Sequence, residues 1–319
     1  MAETSIETSH DVEAVKCFLA PNSVALVGAS RRKEAIGGQL FANLIQGDFN
    51  GPVYPVNNKS RVVQSIVAYS SIIDCPGKVD IALIVVPASK VLDCAKECSK
   101  KGVKGLVVIS AGFSEAGKEG AKMQQELVQF CRETGMRLIG PNCMGIVNTD
   151  PKISMNGQFS PFRPAPGKMG FLSQSGALGI AVIDNSNKMG LGMSSFVSVG
   201  NKADISSNDL IEYWEGDENT DLIMLYLESF GNPRKFSKIA RRVARKKPII
   251  AVKSGRFSAG FRATQSHTGA ILAASDVTVD ALFKQSGVIR TDTLEEMFDA
   301  AAFLSTQPIP KGNNVAILT

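Results

Sequence analysis

Short runs of apolar residues, many of them β-branched, alternate with helical patterns along most of this chain of 319 residues. Such runs are typical of strands in a parallel sheet that is covered by helices on both faces. In the first half of the chain we expect strands at residues 23–28, 53–56, 79–86, 105–110 and 137–139. The pattern predicts an open α/β sheet, and ligands of such sheets bind beyond the carboxyl ends of the strands.

The alternation starts again after a proline-rich connector at residues 159–167. A second α/β sheet is expected, with strands at residues 170–173, 194–199, 221–227, 248–252 and 287–289. Helices are expected at about residues 39–47, 89–101, 115–134, 176–189, 206–215, 232–245, 275–285 and 294–305. We therefore predict two domains, residues 1–150 and 151–309. Residues 310–319 end in VAILT, which is typical of the first strand of a further α/β domain, so the chain is expected to be a fragment or one subunit of a larger protein.

Composition argues against several classes of protein. No apolar run approaches the length of about 18 residues that spans a bilayer, and the polar, acidic start lacks the pattern of an export signal, which favours the cytoplasm. The net charge is +5, and the densest basic cluster, residues 241–247, is expected on a solvated helix end rather than at a nucleic-acid site. The six cysteines show neither C-x-x-C spacing nor a histidine cluster, so no metal site and no disulfide framework is expected.

The segment from Lys253 to residue 274 surrounds one of the two histidines, His267, with glycines, hydroxyls and three cationic residues. Backbone N–H groups at glycines, hydroxyls and cations together suit a phosphate. A neutral imidazole can also accept a phosphoryl group as a nucleophile. The alternative is a loop histidine that forms local hydrogen bonds, and the residues of the loop by themselves leave both interpretations open.

Other loops at expected strand ends also offer groups that can hold an anion. Ser173–Gly176 lie where a strand meets a helix, and the free N–H groups of a helix start favour negative charge; the alternative is that Ser175 is a plain N-cap. Glu228 ends another strand, where its carboxylate can orient an imidazole. The alternative is that Glu228 is a surface or cap residue. In the first domain, the turn from Gly28 to Gly38 can hold a nucleotide phosphate on its N–H groups, although it lacks G-x-G-x-x-G spacing.

Nine motifs in order give the chain a resemblance to a known family. They read VALVGAS, VYPVNNK, VDIALIVVPA, VISAGF, RLIGPNCMGI, FLSQSGAL, SVGNKADIS, LYLESF and KSGRFSAGFRATQSHTGA. This set resembles the alpha region of the NDP-forming acyl-CoA synthetases, such as ADP-forming acetate–CoA ligases, which are relatives of the succinyl-CoA synthetase alpha subunit. The resemblance implies a Rossmann-like CoA-binding domain followed by a flavodoxin-like domain that carries a phosphohistidine. It also implies that an ATP-grasp domain or beta subunit binds ADP or ATP with Mg²⁺, and that the protein is an oligomer.

The reaction implied by the resemblance converts acyl-CoA, ADP and phosphate to carboxylic acid, CoA and ATP, and back, through an acyl phosphate and a phosphohistidine. The implied catalytic residues are His267, which is phosphorylated, and Glu228, which orients it. The implied CoA contacts are Gly28, Ala29, Ser30, Asn57, Lys59, Val86, Pro87, Ser110, Ala111 and Gly112. The implied phosphate contacts are Asn142, Cys143, Ser173, Gln174, Ser175, Gly176 and Gly269.

The chain departs from the family pattern in two places. It has Val56-Asn57-Asn58-Lys59 where VNPK is usual, and residues 61–71 lack a usual glycine. A competing function on the same fold is the CoA-binding regulatory region of a protein lysine acetyltransferase, but the histidine is typically replaced there, so the intact SHTGA favours catalysis. A dehydrogenase would need an acidic residue about 20 residues after the glycine turn, and the only candidate, Asp48, precedes the strand that should present it.

Overall fold

The structure is a computed structural model that describes residues 12–254, 276–310, 312 and 314–317. Its helices are α1 (residues 12–19), α2 (Ile36–Gln46), α3 (Ala88–Lys101), α4 (Lys118–Thr134), α5 (Gly176–Lys188), α6 (Ser207–Gly216), α7 (Pro233–Val243), α8 (Asp276–Ser286) and α9 (Leu294–Thr306). Strands β1 to β7 are Val24–Val27, Val53–Val56, Val62–Val63, Ile66–Val67, Ile81–Ile84, Gly105–Val108 and Arg137–Ile139. Strands β8 to β14 are Gly145–Asn148, Met155–Gln158, Pro166–Ser173, Met193–Ser198, Leu222–Leu227, Ile249–Lys253 and Ile289–Thr291.

Two large sheets carry the fold. The first has the order β2-β1-β5-β6-β7 with every neighbouring pair parallel. The second has the order β14-β13-β12-β10-β11-β8-β9, in which the β11–β8 and β8–β9 pairs are antiparallel and the other pairs are parallel. In each sheet the chain moves first to one side of its first long strand and then to the other, which creates a switch point where ligands bind. The predicted fold class is therefore confirmed.

Most strands of the two sheets are buried because helices cover both faces of each sheet. The four residues of β1, β5 and β6 are all buried, as the continuous apolar runs predicted. Helices α3 and α4 cover the outer face of the first sheet, and α5 and α9 cover that of the second. A single apolar cluster lies between the sheets and includes side chains from α1, α2, α6, α7 and α8. The two sheets thus share one core, which fixes their relative position.

Several elements differ from the expected boundaries. Strands β8 and β9 were not expected, because Asn156, Gly157 and Gln158 are residues typical of loops; here they are buried and the Gln158 amide donates to Asn156 Oδ1 at 3.0 Å. Both strands belong to the second sheet, and β8 lies ahead of residue 150; the division of the chain into domains stays a prediction. The helix expected from residue 115 is a 3₁₀ turn, Ser114–Ala116, followed by α4, because Gly117 has a φ of 107° that no helix accepts.

At the carboxyl-terminal end, the strand expected at residues 287–289 is β14, which starts at Ile289, because Gly287 takes a left-handed φ of 72°. The strand expected in VAILT is absent from the described residues 314–317, which form neither helix nor strand. Within the residues that the structure covers, no helix is both long and apolar enough to cross a membrane.

The hairpin β3–β4 lies beside α2 and turns through two residues with side chains. Gln64 and Ser65 have φ values of 48° and 68°, a region that favours glycine. The Gln64 amide donates to the carbonyl oxygen of Gly38 in α2 at 2.9 Å, which holds the turn in place. A side-chain hydrogen bond to α2 thus stabilises a turn that lacks the usual glycine.

An ion pair links the first sheet to the second. Arg137 in β7 donates from Nε and Nη2 to the two carboxylate oxygens of Asp204, at 2.8 and 3.2 Å, and the backbone N–H of Leu138 donates to the same carboxylate at 2.9 Å. The side chains are only 20% and 15% exposed. A partly buried, bidentate ion pair of this kind stabilises the folded state far more than an exposed ion pair does.

We expect Asp204→Asn to lower the free energy of unfolding by about 2 kcal/mol, because it removes the carboxylate charge from its hydrogen bonds with Arg137 and Leu138. The matched control is Asp184→Asn, which breaks the ion pair with Lys188, a side chain that is 70% exposed, and should cost less than about 0.5 kcal/mol. Urea unfolding of both variants measures the difference. Equal costs for the two variants would contradict a stabilising role for the Arg137 pair.

Candidate functional site

The carboxyl ends of the two sheets face one cleft of about 810 Å³. Loops after β5, β6 and β7 line it from the first sheet, and loops after β10, β11 and β12 line it from the second. The lining residues are Ile36, Val85, Val86, Pro87, Ile109, Ser110, Ala111, Asn142, Cys143, Phe159, Gln174, Ser175, Gly176, Ala177, Ile180, Gly200, Asn201 and Glu228. We call this space the central cleft.

The first-sheet wall of the central cleft is built at the switch point between β1 and β5. Gly28 has a φ of 96°, and a Cβ there would lie 2.1 Å from the Val85 carbonyl oxygen, so only glycine allows the turns to pack. The Ser110 hydroxyl accepts a hydrogen bond from the Val86 N–H at 3.2 Å and so ties the loops after β5 and β6 together. These contacts give the wall a fixed shape.

The second-sheet wall is the start of α5, at Ser175 and Gly176. Ser175 occupies the N-cap position, but its side chain makes no capping hydrogen bond. The plain N-cap alternative therefore does not describe Ser175, and the first two residues of α5, Gly176 and Ala177, line the central cleft. An uncapped helix start with its positive dipole end is suited to an anion.

Gln174 holds the end of β12 in position. Its side-chain oxygen accepts hydrogen bonds from the N–H groups of Glu228 and Ser229, at 2.8 and 3.0 Å, and its amide donates to the Ser229 hydroxyl at 3.1 Å. The neighbouring Ser173 is fully buried and donates to the carbonyl oxygen of Ser175 at 2.6 Å. Gln174 thus places the Glu228 carboxylate at the same cleft as the α5 start.

Asn142 and Cys143 occupy the junction between the sheets. Asn142 has a left-handed φ of 58°, and its N–H donates to the Ser110 carbonyl oxygen at 3.0 Å. The Cys143 thiol is directed to the Val108 carbonyl oxygen, 3.3 Å away, and burial raises its pKa to about 12. The thiol therefore stays protonated at neutral pH, and Cys143 lines the central cleft as an uncharged side chain rather than as a nucleophile.

A second cleft, also of about 810 Å³, lies beyond the carboxyl ends of β1 and β2. We call it the basic cleft, because four of the eight residues lining it are cationic. The eight residues are Arg31, Lys33, Lys59, Ser60, Arg61, Val62, Gln64 and Ser65. Asn57 joins the two strand ends, since its amide donates to the Ala29 carbonyl oxygen at 2.7 Å and its side-chain oxygen accepts from the Lys59 N–H at 2.7 Å. None of the described residues that line the basic cleft is acidic.

Many of the residues predicted from the sequence lie together. Ten line the central cleft: Val86, Pro87, Ser110, Ala111, Asn142, Cys143, Gln174, Ser175, Gly176 and Glu228. Lys59 lines the basic cleft, whereas Gly28, Ala29, Ser30, Asn57, Gly112 and Ser173 line neither and support the loops around them. His267 and Gly269 lie outside the described residues. The roles of all these residues remain predictions.

Other lining residues were not expected. Ile36, Phe159 and Ile180 add apolar surface, and Gly200 and Asn201 bring in the loop after β11. The sequence holds a signal for the last two, because GNKAD follows a strand at its carboxyl end. Among the residues in the described ranges, no cluster of three or more His, Cys, Asp and Glu is arranged to hold a metal ion.

Lys202 adds a half-buried positive charge beside Ser229, the residue after Glu228. Its Nζ donates to the carbonyl oxygen and the hydroxyl of Ser229, at 2.5 and 2.9 Å. Burial lowers the pKa of Lys202 to about 8, the charge of Glu228 opposes this effect, and the charge of Lys253 adds to it. Burial also lowers the pKa of Lys253. Both lysines interact with the charge of Glu228, which opposes the effect of burial on each pKa.

Two family models match the chain, one for each sheet. Residues 22–149 match a CoA binding domain, and residues 166–304 match a succinyl-CoA ligase like flavodoxin domain. The alpha subunit of acetate–CoA ligase [ADP-forming] I from Pyrococcus furiosus is 44% identical over 310 residues, which cover 96% of this chain and 66% of that subunit. Acetate–CoA ligase [ADP-forming] I from Archaeoglobus fulgidus is 45% identical over 299 residues, which cover 94% of this chain and 43% of that protein.

A solved structure is similar over both sheets. It is dinucleotide forming acetyl-coenzyme A synthetase 1 from Ca. Korarchaeum cryptofilum in complex with phosphate and ADP, with 41% sequence identity and a TM-score of 0.88. The match covers 93% of this chain and 64% of that chain. This chain therefore spans between two fifths and two thirds of the length of these relatives.

The lowered pKa of Lys202 predicts a pH dependence of stability. Between pH 8 and pH 10.5 the unfolded chain keeps a proton on this lysine that the folded chain has lost, so folding becomes more favourable as pH rises through this window. We expect the stability of the wild type relative to Lys202→Met to increase from pH 8 to pH 10 and to be constant below pH 7. Urea unfolding at each pH measures it.

The control for this experiment is Lys122→Met, because Lys122 is exposed on α4. This variant shows what a Lys→Met change contributes at an exposed position away from the central cleft. If the difference in stability between the wild type and Lys202→Met is constant from pH 7 to pH 10, the pKa of this lysine is not lowered by burial.

Proposed function

Because this chain belongs to the family of NDP-forming acyl-CoA synthetase alpha regions, within the succinyl-CoA synthetase alpha-subunit superfamily, we propose that it performs the CoA and phosphoryl-transfer steps of such an enzyme. The whole enzyme would interconvert acyl-CoA, ADP and phosphate with carboxylic acid, CoA and ATP in the cytoplasm. The observation that carries this proposal is the central cleft, where loops of the CoA-binding half meet the uncapped start of α5.

CoA would bind along the carboxyl edge of the first sheet. Its nucleotide end carries phosphates, and the basic cleft offers Arg31, Lys33, Lys59 and Arg61 to pair with them. The pantetheine arm would pass Val86 and the loop after β6 and bring its thiol into the central cleft. The N–H groups of the turn after Gly28 would add donors for the diphosphate.

Phosphate would bind at the start of α5, on the free N–H groups near Gly176. There one phosphate oxygen attacks the acyl carbonyl of acyl-CoA, the carbon–sulfur bond breaks, and CoA leaves as a thiolate that takes up a proton. The acyl phosphate then transfers its phosphoryl group to an imidazole nitrogen of His267 and releases the carboxylate. Glu228, at the rim of the same cleft, would accept a hydrogen bond from the second imidazole nitrogen and keep the first one nucleophilic.

The last step needs a nucleotide site that we assign to a partner. An ATP-grasp domain or beta subunit would bind ADP with Mg²⁺ and take the phosphoryl group from His267. The greater length of the relatives supports this division, as does the ADP present in the similar structure. The relatives' names make acetate the first acid to test, and the assembly would be an oligomer. The comparisons give no support to a lysine acetyltransferase regulatory region.

Intact mass of the chain, after incubation with acetyl phosphate or with ATP and an active ATP-grasp partner, tests the proposed function. The wild type should gain one acid-labile phosphoryl group, and His267→Ala should gain none, because the nucleophile is missing. The matched control is His10→Ala, which removes the other histidine and should behave as the wild type does. Phosphorylation that persists in His267→Ala would overturn the phosphohistidine step. No gain in the wild type, with CoA still bound, would favour a regulatory protein.

The basic cleft makes a separate prediction about CoA. Lys59→Met or Arg61→Met should weaken CoA binding about tenfold, because each removes a charge-assisted contact to a phosphate. Binding of pantetheine, which lacks the nucleotide phosphates, should be unchanged. Calorimetric titration measures both ligands, and Lys122→Met on the exposed side of α4 is the control. A variant that weakens both ligands equally would place the nucleotide elsewhere.

A further inference from the structure

The Glu115 carboxylate lies between the two sheets and contacts loops from both. One oxygen accepts hydrogen bonds from the N–H groups of Gly112 and Phe113, at 2.6 and 3.2 Å. The other oxygen accepts from the side-chain amide of Asn201, at 2.5 Å. Gly112 follows the strand β6 of the first sheet, and Asn201 follows β11 of the second, so this single carboxylate bridges the two halves of the central cleft.

Asn201 joins a third loop to this bridge. Its side-chain oxygen accepts from the Asn142 amide at 3.4 Å, and its N–H donates to the Pro141 carbonyl oxygen at 2.9 Å, both in the loop after β7. Its amide group also donates to the side-chain oxygen of Gln124 in α4 at 2.9 Å. Asn142 and Asn201 line the central cleft themselves, so their positions set part of its shape.

The turn that carries Asn201 has little room to adjust. Gly200 has a φ of 51°, and a Cβ there would lie 2.3 Å from the carbonyl oxygens of both Pro141 and Asn142. On the other side of Asn201, Lys202 donates to Ser229, the residue after Glu228. A displacement at Glu115 therefore reaches both the loop after β7 and the end of β12.

Glu115 acts in this bridge as a charged acceptor. Burial by itself raises the pKa of a carboxyl group, but the hydrogen bonds from Asn201, Gly112 and Phe113 more than offset it and hold the pKa of Glu115 below its usual value. The carboxylate is therefore ionised at neutral pH, and its hydrogen bonds are of the stronger, charge-assisted kind.

We propose that Glu115 is a positioning residue that, through Asn201, couples the first-sheet half of the central cleft to the second-sheet half. This inference rests on the proposed function, in which CoA occupies the first half and phosphate the second. Binding of one ligand, CoA or phosphate, then changes the affinity of the cleft for the other ligand. It does so because both ligands contact loops whose relative position Glu115 and Asn201 fix.

Calorimetric titration of the 319-residue chain with CoA, with and without saturating inorganic phosphate, measures the coupling. In the wild type, phosphate should change the dissociation constant of CoA about fivefold or more. Glu115→Gln and Asn201→Asp should each bring this factor close to one. In Glu115→Gln two amide groups that both donate can face each other, and in Asn201→Asp two carboxylates that both accept face each other. Glu119→Gln, which removes an exposed carboxylate from the first turn of α4, is the charge-matched control and should keep the wild-type factor.

The double variant Glu115→Gln with Asn201→Asp separates coupling from damage to the fold. The new glutamine can accept from Gly112 and Phe113 with its oxygen and donate to the new aspartate with its amide, so the bridge is rebuilt with reversed polarity. We expect the double variant to recover the coupling factor that each single variant loses. Single variants that keep the wild-type factor, or a double variant that behaves as the sum of the singles, would overturn the inference.

The outcome for the wild type distinguishes this inference from the proposed function. A wild-type chain that binds CoA and phosphate without any mutual effect overturns the coupling but leaves the proposed function standing. A wild-type chain that binds no CoA overturns both.

Discussion

The loops after β7 and β11 touch backbone to backbone at Gly200, and the central cleft takes its shape from this contact. Carbonyl oxygens of Pro141 and Asn142 occupy the space that a side chain at Gly200 would need. Since parallel strands present their carboxyl ends at one edge, two such edges brought together at this point place six loops around a single space. The shared apolar core and the ion pair between Arg137 and Asp204 keep the two edges in this relation.

Among the described residues, several polar groups at the central cleft are suited to an anion. The start of α5 is left without a side-chain cap, a condition that costs stability unless a ligand supplies the missing acceptors. Lys202 and Lys253 are held in positions where burial disfavours their charge. An anion at the start of α5 would accept hydrogen bonds from the free N–H groups of the helix.

The sequence predicted those parts of the structure that follow from local pattern. Periodicity placed the strands and helices, and with them the Gln174–Gly176 turn and Glu228 at strand ends. Strands β8 and β9 were not predicted, because the hydrogen bonds of their polar side chains, such as that between Asn156 and Gln158, form only in the folded chain. The sequence predicts Glu115 only as the start of a helix, because its contact with Asn201 joins residues that are distant in sequence. The basic cleft likewise draws its charges from two separate turns.

The hairpin that walls the basic cleft has a consequence for the order in which the molecule takes shape. Its strands are two residues long, too short to be stable alone, and its left-handed turn is held by the bond from Gln64 to α2. The wall therefore depends on α2 being in place. In the folded protein it should open more readily than the strands beneath it, so hydrogen exchange at the hairpin would be faster than in β1, and a ligand spanning turn and helix would slow it.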